Sequence, residues 1–133
     1  MIDLMMEVYR AFRNDEELSP HIESISFFDY PNANEITRPI IVIDDLTTPI
    51  PTDFADDDYL SFINLIQIDV FVKQSDNENG RLLINKLMIR IQRIMWDKFN
   101  FHVNMSSKPE YIKDFNLFRS TVTFKGKFYN REI

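Results

Sequence analysis

The clearest strand in the chain is LSFINLIQIDVFVK, residues 60–73. Side chains alternate across a strand, so Leu60, Phe62, Ile66, Ile68, Val70 and Val72 share one side, interrupted only by Asn64. That side is a core face. The other side carries Ser61, Ile63, Leu65, Gln67, Asp69, Phe71 and Lys73. It is too apolar for open solvent and too polar for a core, a mixture that suggests partial cover by another subunit. Ile63, Leu65 and Phe71 are the expected contact residues.

Upstream of this strand stands PTDFADDDY, residues 51–59, with Asp53, Asp56, Asp57 and Asp58 crowded together. Pro49 and Pro51 remove backbone donors and predict an end to strand pairing. The segment is expected to form an exposed arm between two strands. Further upstream, IIVIDDL (40–46) and IESISFFDY (22–30) read as strands, joined by the turn-rich PNANEITRP. IDLMMEVYRAFR (2–13) spaces Ile2, Met5, Met6, Tyr9 and Phe12 by threes and fours, which predicts a helix with one buried stripe.

Downstream, QSDNENG turns the chain into a second predicted helix over 80–98. Leu83, Leu87, Ile91, Ile94 and Met95 line its inner side, with Ile84 and Met88 beside them. Arg81, Lys86, Arg90 and Arg93 lie on or near the outer side. Trp96 is expected in core or edge packing. Residues 100–105 read as a strand, and 117–129 as a closing strand. In the latter, Phe118, Val122, Phe124 and Phe128 face in, while Arg119, Thr121, Thr123, Lys125 and Lys127 face out. The order α-β-β-β-α-β-β predicts a single α+β domain over residues 1–133. Its sheet should be mainly antiparallel, of about five strands, with two helices on one face.

The chain has 133 residues and no cysteine. This excludes disulfide frameworks, thiolate metal sites and cysteine nucleophiles, and it fits a reducing compartment. No apolar run approaches the ~20 residues of a membrane span, and no secretory signal is visible at the N-terminus, so a soluble intracellular protein is expected. Residues 1–58 hold 3 basic and 14 acidic side chains (3 − 14 = −11), and residues 59–133 hold 12 and 7 (12 − 7 = +5), together the net −6. Such asymmetry suggests one acidic and one basic face. An acidic total argues against broad nucleic-acid binding.

Known site chemistry fits poorly. PTDFADDDY has consecutive aspartates that diverge and no glycine, so it lacks the pattern of a calcium loop. In DNENG, the closing Glu position falls on Leu87. A metal-dependent phosphodiesterase could draw on Asp44, Asp45, Asp69 and Lys73, but the acidic residue wanted two before the lysine is Phe71. His21 and His102 sit in no serine-nucleophile motif, and two glycines cannot build a phosphate loop. A small acidic inhibitor that mimics DNA would spread carboxylates along a surface, whereas here they cluster in one segment. No catalytic residue, cofactor or metal is expected.

YPNAN (30–34), RPIIVIDDL (38–46), PIPTDFADDDY (49–59), QIDVFVK (67–73) and FKGKFY (124–129) together resemble a family of small tail-component proteins. The family belongs to long-tailed bacteriophages of Gram-positive hosts and is similar to tail terminators. Each motif alone is weakly specific, and their order and spacing carry the resemblance over nearly the whole chain. Phe71 stands where tryptophan is expected in many relatives, a departure that concerns packing.

The resemblance implies a non-enzymatic virion protein. Its copies would form a ring, usually a hexamer, that caps the tail tube and joins it to the head connector. The implied partners are further copies of the chain, the major tail tube protein and the connector. DNA would pass through the ring without specific binding, and no membrane is involved. The implied location is the head-proximal end of the tail, after assembly in the host cytoplasm. Two sequence features agree with this role. Opposed half-charges suit the head-to-tail contacts of a ring, and an acidic wall would let DNA slide. The Asp53–Asp58 arm would then meet basic residues of a neighbouring copy, with Arg119, Lys125 and Lys127 as acceptors.

Overall fold

The computed structural model describes residues 3–55 and 58–129, without the side chains of Tyr59, Phe128 and Tyr129. Ile2, Asp56, Asp57 and the Phe128 ring therefore lie outside the described residues. The fold is α+β: a mixed seven-stranded sheet with two helices.

Helix α1, Leu4–Asn14, starts where the Asp3 carboxylate accepts a hydrogen bond from the Met6 amide at 3.4 Å. Its buried residues are Met5, Val8 and Phe12, so the stripe is narrower than expected, with Met6 and Tyr9 at its edge. Strand β1, Ser24–Phe27, lies parallel to β2, Ile40–Asp45. Residues 28–39 make the crossover between them. About a dozen residues is the minimum for such a connection, and this one manages it without an α-helix.

Strand β3, Ile50–Ala55, turns back as β4, Asp58–Lys73. Helix α2, Gly80–Phe99, follows, capped by Asn79 at its start and by left-handed Asn100 (φ 57°) at its end. Then come β5, His102–Ser106, β6, Glu110–Ile112, and β7, Leu117–Tyr129.

The long strands β4 and β7 pair antiparallel from Ser61↔Tyr129 to Lys73↔Leu117 and form the axis of the sheet. On the far side of β4, β2 pairs with Ile66–Phe71 and β3 with Asp58–Ile63, one after the other. On the far side of β7, β6 and β5 do the same. Two strands were not expected. The segment around Pro51 is strand β3, because a proline is tolerated on an edge strand whose missing N–H faces outward. Residues 110–112 form the short β6. The β1–β2 pair makes the sheet mixed.

Both helices cover one face. Met5, Val8 and Phe12 of α1 and Ile84, Ile91 and Met95 of α2 pack on Ile41, Ile43, Ile66, Ile68, Val122 and Phe124. Gly126 is required at this layer's end: a Cβ there would fall 2.1 Å from the buried Phe101 ring. Among the described residues, no helix is long and apolar enough to cross a membrane.

The opposite face is covered by the chain itself, but only at one end. Ile36 from the crossover and Leu117 pack with Ile40, Val42 and Phe71 into a second small core. Phe71 is therefore buried within its own chain. The ring offered as a subunit contact is not on the surface. Ile63 and Leu65, further along β4, are half-buried.

Candidate functional site

The hairpin of β3 and β4 is an arm. Its pairs run from Ile50↔Ile63 through Thr52↔Ser61 and Phe54↔Tyr59 to Ala55↔Asp58. The two strands thus meet closest in sequence at the Ala55↔Asp58 pair. Helix cover stops at the level of Phe101 and Gly126, which faces Asn64, so the arm continues the sheet beyond the helix layer. Three large apolar side chains stand out on it: Phe54 is 71% exposed, Leu60 48% and Ile50 47%. Beyond Ser61, where β7 stops pairing, the arm is a two-stranded ribbon, marginally stable alone, so the exposed Phe54 and Leu60 on it call for cover.

One polar link anchors the arm. Asp53 adopts a left-handed backbone (φ 56°), which aspartate tolerates better than bulkier residues. Its Oδ2 accepts from Ser61 Oγ at 2.6 Å and from Lys127 Nζ at 2.8 Å. Lys127 thus reaches from β7 across β4 to β3. These two bonds, Lys127 first, hold the Asp53 carboxyl below its ordinary range. Asp53 and Lys127 were expected to meet between copies, but the structure pairs them inside one chain. Asp58 is exposed at the tip.

Next to the arm, on the same face, lies a buried polar network centred on Asp69. Its carboxylate is 0% exposed. Oδ2 accepts from Tyr30 Oη at 3.0 Å and Gln67 Nε2 at 2.9 Å. Oδ1 accepts from Arg119 Nε at 3.1 Å and from the Thr121 hydroxyl. The Arg119 guanidinium lies 5.5 Å from the ring centroids of both Tyr30 and Phe71. Arg119 is therefore committed to Asp69 and is not an open acceptor for a neighbour's arm. Burial, then the charge of Asp69, pushes the Tyr30 phenol above its ordinary value. Of the three basic residues named as acceptors, Lys125 is exposed and makes no ion pair among the described residues.

The phosphodiesterase constellation does not assemble. Asp44 and Asp45 are adjacent on β2 and project to opposite faces. Asp45 is exposed at the strand end, and partial burial, then the charges of Asp44 and Asp3, pushes its carboxyl up. Asp69 is saturated by four donors, which leaves no open lone pair for a cation. Lys73 is four residues further along the strand, roughly 13 Å away. Among the described residues no three His, Asp or Glu side chains gather at metal-binding distance.

A third feature lies on α2. Leu82, Ile89 and Trp96 are exposed on its outer side, so Trp96 is not in the core. Their spacing of seven is visible in the sequence but was overshadowed by the stronger inner stripe. The contribution of Tyr30 and Thr121 to the Asp69 network left no local signal, because they lie 39 and 52 residues from it, whereas Gln67 is its neighbour on the same side of β4. No protein-family model matches the chain, and no curated protein matches it.

Proposed function

We propose that the chain is a structural tail protein of a long-tailed bacteriophage. It acts as a ring-forming terminator that caps the tail tube and joins it to the head connector. The ring is a hexamer of this chain, stands at the head-proximal end of the virion tail, and is assembled in the host cytoplasm. It performs no reaction and holds no cofactor. DNA passes through it without specific binding.

The ordered run of motifs from YPNAN to FKGKFY supports the family reading. In the structure, one observation carries the assembly role. An acidic arm with Phe54 71% exposed extends past the helix layer while the body of the domain is closed around its own two cores. A body that is complete in itself does not need the arm to fold. Apolar groups on the arm supply affinity for another protein, and its carboxylates set orientation, since exposed ion pairs contribute only ~0–1 kcal/mol each.

The test is co-assembly with the major tail tube protein of the same phage. Purified chain should bind tube ends as rings visible by electron microscopy and stop tube growth. A protein that stays monomeric and leaves tubes growing would overturn the proposal, as would normal virions from a phage lacking the gene.

A further inference from the structure

We propose that the outer face of α2 is a docking groove for an acidic amphipathic helix of another protein. The groove is separate from the β3–β4 arm, and its occupancy does not depend on the assembly role.

The outer face of α2 has the wrong composition for a solvated surface. A helix packed on one side should be polar on the other. Instead Leu82 is 49% exposed, Ile89 67% and Trp96 51%. Ile89 and Trp96 line a groove of about 470 Å³ together with Lys86 and Arg93, to which Glu17, beyond the end of α1, also contributes.

The spacing of these anchors selects the shape of the occupant. Leu82, Ile89 and Trp96 recur every seven residues, a rise of about 10.5 Å from one to the next. A helix laid alongside presents apolar groups at the same interval, seven residues apart on one side. A strand presents them every two residues, about 6.7 Å, and falls out of step.

Charge selects its composition. α2 holds Arg81, Lys86, Arg90, Arg93 and Lys98 against Asp97, so 5 − 1 = +4. Arg90 is bound by Asp15 and Glu17, and Arg93 by Asp97. Arg81 and Lys86 are exposed beside the stripe and make no ion pair among the described residues. They are left for carboxylates that flank the partner's apolar side. Those charges set orientation, and the apolar stripe supplies affinity.

Neither helix of this chain fits. α2 of a second copy has the matching repeat, but it would set Arg81, Lys86 and Arg93 against the same cations. α1 exposes no large apolar side chain, and its Glu7 is already paired with Arg10. The occupant is therefore a helix of a different chain, apolar on one side and acidic beside it.

Trp96 is the only tryptophan, so its fluorescence reports on the groove directly. The probe is a three-heptad peptide with leucine at positions a and d and glutamate at e and g, titrated into the full chain at low salt. Trp96 emission should shift to the blue and saturate, and added salt should weaken binding. Ile89→Asp should cost at least ~10-fold in affinity. Lys86→Glu should cost up to ~5-fold with this peptide, yet bind a version with lysine for every glutamate more tightly than the wild type does. Loss of fold cannot produce that reversal. Absence of a blue shift with the acidic peptide, or equal affinity of the wild type for the acidic and basic peptides, would overturn the proposal. So would a blue shift on phosphatidylglycerol vesicles but not on the peptide, which assigns the face to a membrane surface. A blue shift on concentrating the chain alone, removed by Ile89→Asp, would also overturn it and assign the face to a second copy. Binding of tube ends is read separately, so each of these failures leaves the assembly role standing.

Discussion

From Ile66 to Val72, β4 is covered on both sides: α1 and α2 lie on one, the Ile36–Phe71–Leu117 core and the Asp69 network on the other. At the other end of the same strand cover thins out: Phe62 and Ile63 are half-buried, Asp58 and Leu60 are exposed, and from Asp58 to Leu60 only β3 pairs with it. Both burial and pairing decline toward the tip. The difference separates what folds the molecule from what is left for other molecules. The ion pairs follow the same division. In Asp69–Arg119 the carboxylate is fully buried and the guanidinium half-buried, whereas Asp53–Lys127 is exposed on both sides.

The contrast predicts unequal costs of mutation. Asp69→Ala should destabilise most, by about 3 kcal/mol, because it removes the buried acceptor shared by Gln67, Arg119, Thr121 and the Tyr30 hydroxyl. Urea unfolding followed by fluorescence of Trp96 or by circular dichroism would read this. A cost near zero would mean that the network is wetter than its burial indicates. The matching arm variant, Asp53→Asn, which tolerates the same left-handed backbone, should leave the unfolding midpoint almost where it was.

Gly126→Ala comes next. Its new methyl group meets the Phe101 ring at the boundary between body and arm. Overpacking of this kind costs about 1–3 kcal/mol, and Phe101→Leu in the same chain should recover part of it. Failure of the second change to help would place the strain in the backbone of β7 rather than at the ring.

A smaller effect tests how the body is closed. Asp15, at the end of α1, takes 2.9 Å and 2.6 Å bonds from Arg90 of α2. The hydrogen bonds and charge of Arg90 hold its carboxyl below the ordinary 3.8. A depressed carboxyl contributes stability that is complete above the unfolded value and is lost as pH falls through the folded one. Wild-type stability should therefore drop on acidification below about pH 4. Asp15→Asn should start less stable at neutral pH and converge with the wild type in acid. Parallel curves would show that Arg90 does not couple to this proton.

The smallest effect belongs to the arm. Phe54→Ser should shift stability within about ±0.5 kcal/mol, the range for surface positions away from special features. A large loss would mean that the arm is part of the core after all.

Legibility in the sequence follows the same line. The closing strand over 117–129 and the helix over 80–98 were readable because each carries a long, strict period. The core side of β4 was readable for the same reason from Ile66 to Val72, but Leu60, expected on that core face, is exposed because the helix layer does not reach it. The other side of β4 was not readable, because the groups that bury Phe71 and Asp69 come from Tyr30, Ile36, Leu117 and Arg119, distant in the chain. Periodicity reports which side a residue faces but not what returns to cover it. β3 was missed because prolines and aspartates disguise an edge strand. The parallel β1–β2 pair was missed because its crossover contains no helix to announce it. In the arm, the aspartates drew notice away from Phe54 beside them.

Amide hydrogen exchange, followed by mass spectrometry on dissociated and assembled protein, tests the division between body and arm most directly. The account predicts that Ile66–Val72 and Val122–Phe124 are protected in both states, while 50–63 exchanges fast in the free chain and becomes protected only on assembly. Equal protection of the arm in both states, or an arm that stays fast in the assembled ring, would contradict it.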